Sequence, residues 1–434
     1  MPVMPRCFES DPSRSASDPS LRPTSPFARV TCRSLLSAVI VSACALSVLG
    51  GTGCDASSAG QGPGPDAAAS PSPGPDAGPD ASSTCDSKQT AELQAAFDSA
   101  APEHIDAVAV VKDPSCGVRF FTRGPSKYSP EVLHVLASNI KTYVASLMLL
   151  LAEDGLFLLD DPISTWIDGV PGGDAIHIRH LLNHTSGLYN FTDAQDFWND
   201  FDKHYTPAEL VELAFREKVA FAPDERFDYS NTNYVLLGMI AEKVTGRHVE
   251  ELLRERILTP IGAKATFFHG KEPLVGELAL GRSFIGGDGA TFQDPSAHWC
   301  SGSLVGTPLD LANWIELRGS GKFHTPEAQA EILKLVPGPL TTSWGAGVMV
   351  VDPSGTAGGG TAYGHGGDLV GYHSYGFYFP SRATTVVVVV DSDEGPEGAF
   401  PVGPYTYREL LFPALIGPLF RHANADGGDG RGTE

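Results

Sequence analysis

The sequence predicts an α/β (α+β) fold: an antiparallel sheet flanked by N- and C-terminal helices, with an all-helical subdomain inserted between its halves. Three observations point there. Strand-like runs stand near both ends of the globular part, at 106–124 and again at 343–393. Helical patterns fill most of the interval from Asp160 to about Leu335. An amphipathic stretch opens the globular region and an apolar helical one closes it.

In chain order, "QTAELQAAFDSAAP" from Gln89 reads as the first helix. "DAVAVVKD" and "GVRFFTRG" follow as two strands, with a turn at Asp113-Pro114. The run from Tyr143 to Leu151 is almost wholly apolar, which predicts a helix buried on most sides. "IRHLLNH", "TPAELVELAFREK", "TNYVLLGMIAEKVTG", "VEELLRERIL" and "TPLDLANWIELR" supply the helical block. "SWGAGVMVVD", "YHSYGFYFP" and "TTVVVVVDSD" are spaced like a β-meander, and "YTYRELLFPALIGPLF" is the closing helix. No internal repeat is found.

The ends of the chain have another texture. "SLLSAVIVSACALSVLGGTGC", Ser34 to Cys54, follows Arg29 and Arg33 and has the layout of a secretory signal. Small residues directly before Cys54 resemble a bacterial lipoprotein cleavage site, although Gly51 stands where leucine is usual. The segment before it is long for a signal, and a start at Val30 would give an ordinary one; an uncleaved apolar anchor is the alternative. Residues 55–86 are mostly Pro, Gly, Ala, Ser and Asp, too poor in apolar bulk to fold, and read as a tether. The expected division is leader 1–54, linker 55–86, folded domain 87–421 and a polar tail 422–434. The protein is thus expected to be exported, periplasmic, extracellular or held at the cell envelope, touching membrane only through its N-terminal anchor. Net charge −22 over 434 residues argues against nucleic acid and anionic membrane surfaces as partners. Of seven cysteines, four fall in the leader; Cys85 and Cys116 could pair in an oxidising compartment, leaving Cys300 as a buried apolar residue.

Three polar clusters interrupt these elements. Ser138 and Lys141 lie three residues apart at the head of the apolar helix, so hydroxyl and amine share a face. Lys141 reads either as a base for Ser138 or as half of a chance pair. Tyr229-Ser230-Asn231 precedes a second apolar helix. The phenol could relay a proton if a nearby ammonium depressed its pKa, or the three residues are a plain N-cap. "YGHGGDLVGYHSYGFYFP" sets glycines beside His365, either to let a ligand approach the strand closely or simply to make a hairpin.

In this order, Ser138-x-x-Lys141, Tyr229-x-Asn231 and His365-Gly366-Gly367 resemble the three motifs of the penicillin-recognising serine hydrolases, namely class C β-lactamases, D-alanyl-D-alanine carboxypeptidases and related esterases. "EDGLFLLDDPI", "IHIRHLLNHTSGL", "FDYSNTNYVLLGMIAEKVTG" and "GSLVGTPLDLANW" strengthen the likeness, which runs from about Ser87 to Phe420. The resemblance implies a β-lactamase/transpeptidase-like fold and an acyl-enzyme on Ser138. Lys141 would be the base and Tyr229 a proton relay. Asn231 would orient the acyl amide, and the backbone N–H groups of Ser138 and Asp368 would form the oxyanion hole. His365, Gly366, Gly367, Asp368 and Trp299 are the further substrate-binding candidates. No cofactor or metal is implied; His180, His184 and His373 fit no standard zinc spacing. The expected partner of this monomer is a small acyl substrate or a peptidoglycan stem peptide. The third motif usually opens Lys-Thr or Lys-Ser, and here His365 and Gly366 replace both. A histidine titrating near neutrality would grip a carboxylate weakly, and restoring threonine at 366 should help. That favours a peptidase or esterase over an efficient β-lactamase. A surface protein that retains only ligand affinity is the reading from another class.

Overall fold

Helix α1 (Ser87–Ala100) starts at Asp86, whose carboxylate accepts the Lys88 amide at 2.8 Å. Strand β1 (Ala107–Asp113) ends in a turn organised by Asp113, which accepts the Ser115 and Cys116 amides at 2.9 and 2.8 Å. The chain returns as β2 (Gly117–Arg123), and a disulfide joins Cys85 to Cys116 across this turn. The computed structural model describes residues 85–126, 128–200, 202–283, 287–288, 293–351, 360–393 and 407–421. The expected leader, Cys54, the linker up to 84 and the tail from 422 lie outside the described residues. No described helix is long and apolar enough to cross a membrane.

After β3 (His134–Val135), a 3-10 turn over Ala137–Asn139 leads into α2 (Ile140–Glu153), whose residues from Ile140 to Leu149 are all buried. Next come α3 (Ile178–Leu182), α4 (Pro207–Phe215), α5 (Asn231–Thr245) and α6 (Val249–Leu253). The following stretch carries β4 (Thr266–Phe268), β5 (Arg282–Ser283), β6 (Gly287–Asp288) and β7 (Leu304–Gly306). Helices α7 (Pro308–Gly319) and α8 (Pro326–Ile332) precede β8 (Val336–Pro337), β9 (Thr342–Gly345) and β10 (Val348–Val351). Strands β11 (Ala362–Leu369), β12 (Tyr372–Phe379) and β13 (Thr384–Val390) and helix α9 (Tyr407–Arg421) complete the domain.

The large sheet is antiparallel, ordered β2-β1-β13-β12-β11-β10-β9-β8, so both ends of the domain meet where β1 pairs with β13. Period-two alternation divides its side chains. Val386, Val388 and Val390 pack with Leu93, Phe97, Leu411 and Leu415 under α1 and α9. Val387 and Val389 face the other way, into a core shared with Trp314 of α7 and the apolar side of α2. Two expectations change. The inserted block is not all-helical, because it carries β4 and β7, which pair with each other and, through β7, with β3 ahead of the block. "SWGAGVMVVD" is two strands rather than one, β9 and β10, folded back at Ala346-Gly347.

Candidate active site

From Val132 to Leu149 every residue is buried except Ser138. The hydroxyl therefore opens from an otherwise closed segment. Ala137, just before it, is held at φ 49, a left-handed conformation that costs a residue with a side chain roughly 1–3 kcal/mol.

Lys141 is fully buried. Its Nζ stands 3.0 Å from Ser138 Oγ and 2.8 Å from Asn231 Oδ1, and also bonds the Ser301 carbonyl oxygen. Desolvation pushes its pKa well below the ordinary lysine value. A neutral amine has two hydrogens and one lone pair. Asn231 Oδ1 and the Ser301 carbonyl can only accept, so they take the two hydrogens. The lone pair is left facing the Ser138 hydroxyl.

Tyr229 also bonds Ser138, and its ring lies 5.1 Å from Lys141 Nζ. Burial pushes the phenol far above its ordinary value, and the charge of Asp368 adds to this. The phenol thus stays protonated, opposite to the depressed pKa that the sequence allowed, and it can relay a proton but not act as a tyrosinate base. Asn231 opens α5; its amide donates to Asn190 Oδ1 at 3.0 Å and its Nδ2 to Thr192 Oγ1 at 3.3 Å. Ser230 is the residue at the N-cap and makes no side-chain cap bond.

On β11 the pairing with β10 covers Ala362–Gly364, whereas pairing with β12 runs on to Leu369. Gly367 sits in the segment past β10 because nothing larger fits. A Cβ there would collide with the Leu136 carbonyl oxygen and stand 2.5 Å from Ser374 Oγ and 3.1 Å from Ala137 Cβ. Gly366 differs: a Cβ would meet the Tyr375 ring at 2.7 Å. That ring sits among Phe377 and Phe412, so a threonine at 366 would have to displace it, a packing cost set against the expected gain.

His365 is buried, its Nδ1 on the Gly366 carbonyl. Burial, and secondarily the Lys141 charge, push it down to about 3, so it carries no charge near neutrality and the expected titration there does not occur. His298 and His324 are likewise pushed to about 3 by burial. In the unfolded chain such groups titrate near 6.5, so below that pH the unfolded state binds more protons than the native state. Stability is then lost as pH falls from about 6.5 toward 3, by about 1.4 kcal/mol per pH unit for each histidine. Urea midpoints should drop steeply between pH 6.5 and 4.5, and His365→Asn should flatten that slope. An unchanged slope would mean His365 is not held neutral.

Trp299 is not a cleft residue. Only 2% exposed, its indole packs on Gly238 of α5 beside the buried thiol of Cys300. Its turn contributes through the Ser301 carbonyl instead. His184, set aside in the sequence as fitting no standard zinc spacing, is the platform of the site. It stacks on Tyr229 with centroids 4.3 Å apart, and its Nδ1 accepts the Ser230 amide at 3.2 Å. The "NHTSGL" stretch was the signal for it. His180 Nδ1 accepts the His177 amide, and His373 lies between two carboxylates. Among the described residues, the one three-residue group with metal-ligand spacing is Glu242, His248 and Glu250. Glu242 lies eleven residues along α5 from Asn231, about 16 Å away.

The profile of the family described as Beta-lactamase matches residues 106–406. The chain belongs to the beta-lactamase family. Members of this family with this fold are serine hydrolases. Penicillin-binding protein 4* of Bacillus subtilis is 36% identical over 138 residues, 31% of this chain and 30% of that protein. Teichoic acid D-alanine hydrolase of Staphylococcus aureus is 24% identical over 50% of this chain and 53% of its own. Matches to the first curated relatives thus span 30% to 62% of their lengths. Among solved structures, D-amino acid amidase from Ochrobactrum anthropi SV3, complexed with L-phenylalanine, covers 79% of this chain and 100% of its own. Its TM-score is 0.69 and its identity 25%. D-stereospecific amidohydrolase from a Streptomyces species covers 70% of this chain and 94% of its own, with TM-score 0.63 and 27% identity. These likenesses agree with the antiparallel sheet and flanking helices expected of a β-lactamase/transpeptidase-like fold.

Proposed function

We propose that this beta-lactamase family protein hydrolyses amides or esters of D-amino acids through an acyl-enzyme on Ser138. The observation that carries the reading is the buried Lys141 nitrogen, 3.0 Å from Ser138 Oγ and held by Asn231 Oδ1 and the Ser301 carbonyl, so that once deprotonated its lone pair meets the Ser138 hydroxyl. Ser138 Oγ attacks the carbonyl carbon while its proton passes to Lys141 Nζ. The oxyanion is held by the N–H groups of Ser138 and Asp368. Tyr229 gives its phenol proton to the departing amine or alcohol and takes up the one held by Lys141, the C–N or C–O bond breaks, and water then releases the acid with Lys141 again as base.

The substrate class rests on charge. His365 is neutral and Gly366 has no hydroxyl, which disfavours the carboxylate of a β-lactam or of a peptide terminus. Carboxylates neighbour the site residues in the chain instead. Asp228 precedes Tyr229, and Asp193 follows the Thr192 that touches Asn231. Partial desolvation and the charge of Asp228 push Asp193 up to about 6, a strain that a substrate ammonium would relieve. Two relatives named above carry D-amino acid or D-alanine in their names, which agrees with an ammonium on the acyl side. We also place the protein outside the cytoplasm, at the envelope, from the leader-like segment, Cys54 and the Cys85–Cys116 disulfide.

Intact-mass spectrometry after a fluorophosphonate should show one adduct on the peptide holding Ser138, and none in Ser138→Ala. D-phenylalanine amide and short p-nitrophenyl esters should turn over faster than nitrocefin. Labelling that survives Ser138→Ala would remove the assignment; binding of penicillin without turnover of any amide or ester would support a ligand-binding surface protein instead.

A further inference from the structure

The hairpin that ends β11 and opens β12 carries a group that the proposed chemistry leaves unused. Asp368 and His373 are cross-strand partners, and His373 Nδ1 lies 2.7 Å from Asp368 Oδ1. The other ring nitrogen, Nε2, lies 3.1 Å from Asp393 Oδ1, just past the end of β13. The same Asp393 oxygen accepts the amide of Gly371, at the hairpin tip, at 2.7 Å. An ionised carboxylate only accepts hydrogen bonds. A neutral imidazole has one N–H, so one of its nitrogens would press a lone pair against a carboxylate oxygen. Both contacts are satisfied together only when both nitrogens carry hydrogen.

We propose that His373 is a cationic clamp, a positioning residue that fastens the Asp368 end of β11 to the end of β13 and so holds the Asp368 N–H opposite Ser138. The catalytic consequence rests on the function proposed above; the clamp itself does not. As an imidazolium, His373 links the two hairpin arms and, through Asp393, ties them to β13. When it loses its proton, one of the two links becomes repulsive and the hairpin end is released from one side. Among the described residues, two carboxylates contact it. Asp368 faces it from β11, and Asp393 from the segment after β13. Neighbouring Asp391 is engaged by His134 at 2.8 Å, and the Arg282 guanidinium lies 3.7 Å from Asp106. Asp368 and Asp393 are the described carboxylates in direct contact with the imidazole.

The clamp makes the alkaline side of catalysis depend on a residue that never touches substrate. Three forms of the full chain separate the possibilities: wild type, His373→Gln and His373→Lys. Glutamine keeps a donor for one carboxylate but has no charge, whereas lysine keeps the charge and can reach both. In wild type, nitrogen-15 shifts of the His373 ring should show both nitrogens protonated at neutral pH. His373→Gln should lower kcat for a p-nitrophenyl ester about tenfold, with KM changed less than twofold, because an oxyanion donor that drifts loses transition-state stabilisation. It should also speed amide hydrogen exchange at Gly371. His373→Lys should recover most of kcat and move the alkaline decline to higher pH. A ring with a single protonated nitrogen at neutral pH overturns the clamp. So does a glutamine variant with wild-type kcat at every pH. If wild type turns over no ester and takes no fluorophosphonate, the reading of Ser138 fails. The nitrogen shifts and Gly371 exchange then still decide the clamp.

Discussion

Lys141→Arg should lower kcat for a p-nitrophenyl ester by about 10⁴-fold while leaving the thermal midpoint within a few degrees of wild type. The base must give up its proton inside the domain, and a guanidinium does not do so at any pH a protein survives. The site is built around an amine with one free lone pair, fixed by Asn231 Oδ1 at 2.8 Å and the Ser301 carbonyl. Arginine brings a permanent charge and only donors, so nothing can take the Ser138 proton. The same reasoning sets the acid limb of the rate. Desolvation lowers the Lys141 pKa, so the neutral form, and with it activity, grows as pH rises through that lowered value. Activity in the arginine variant within tenfold of wild type would mean that another group serves as base.

Gly367→Ala should reduce kcat about 10²- to 10³-fold and destabilise the domain by about 1–3 kcal/mol. One methyl group is enough because β11 passes directly against the turn that carries the nucleophile. Its Cβ would meet the Leu136 carbonyl, Ser374 Oγ and Ala137 Cβ. These atoms are themselves bonded. Ser374 Oγ donates to the Leu136 carbonyl at 2.9 Å and accepts from Asn139 Nδ2 at 2.8 Å. Relief therefore requires β11 and the Ser138 turn to separate, which widens the gap between the two proposed oxyanion donors. Fluorophosphonate labelling should slow in proportion to kcat, and urea titration reads the stability change. A variant with kcat within threefold of wild type would show that this contact does not set the spacing of the site.

Where chemistry depends on near neighbours in sequence, it could be read directly. Ser138 and Lys141 share a helix face by their spacing alone, and the apolar run after Lys141 announced its desolvation. Val386–Val390 gave both sheet faces through simple alternation. The losses have physical causes too. β11 holds glycines at 364, 366 and 367, a composition that argues for a turn, yet close packing against Ala137 and Leu136 demands it in a strand. The partner that completes Lys141 is a backbone carbonyl, Ser301, whose side chain says nothing about it. His365 looked titratable because burial is a property of the fold, not of its glycine-rich neighbours. Trp299 was drawn to the site by family likeness, while the close packing at Gly238 places it in the core.

The disulfide between Cys85 and Cys116 decides how the domain bears mechanical load. A pull on the chain ahead of Cys85 crosses the sulfur bridge to the β1–β2 turn and enters the large sheet through β2, which β1 holds along seven paired positions. Helix α1 is left out of the force path. With the bridge reduced, the same pull would reach α1 first. Its 14 residues could then unwind from 1.5 to about 3.5 Å each, releasing about 28 Å of slack before the sheet felt tension. An oxidised bridge thus gives the hydrolase a stiff mount, and a reduced one gives it a spring.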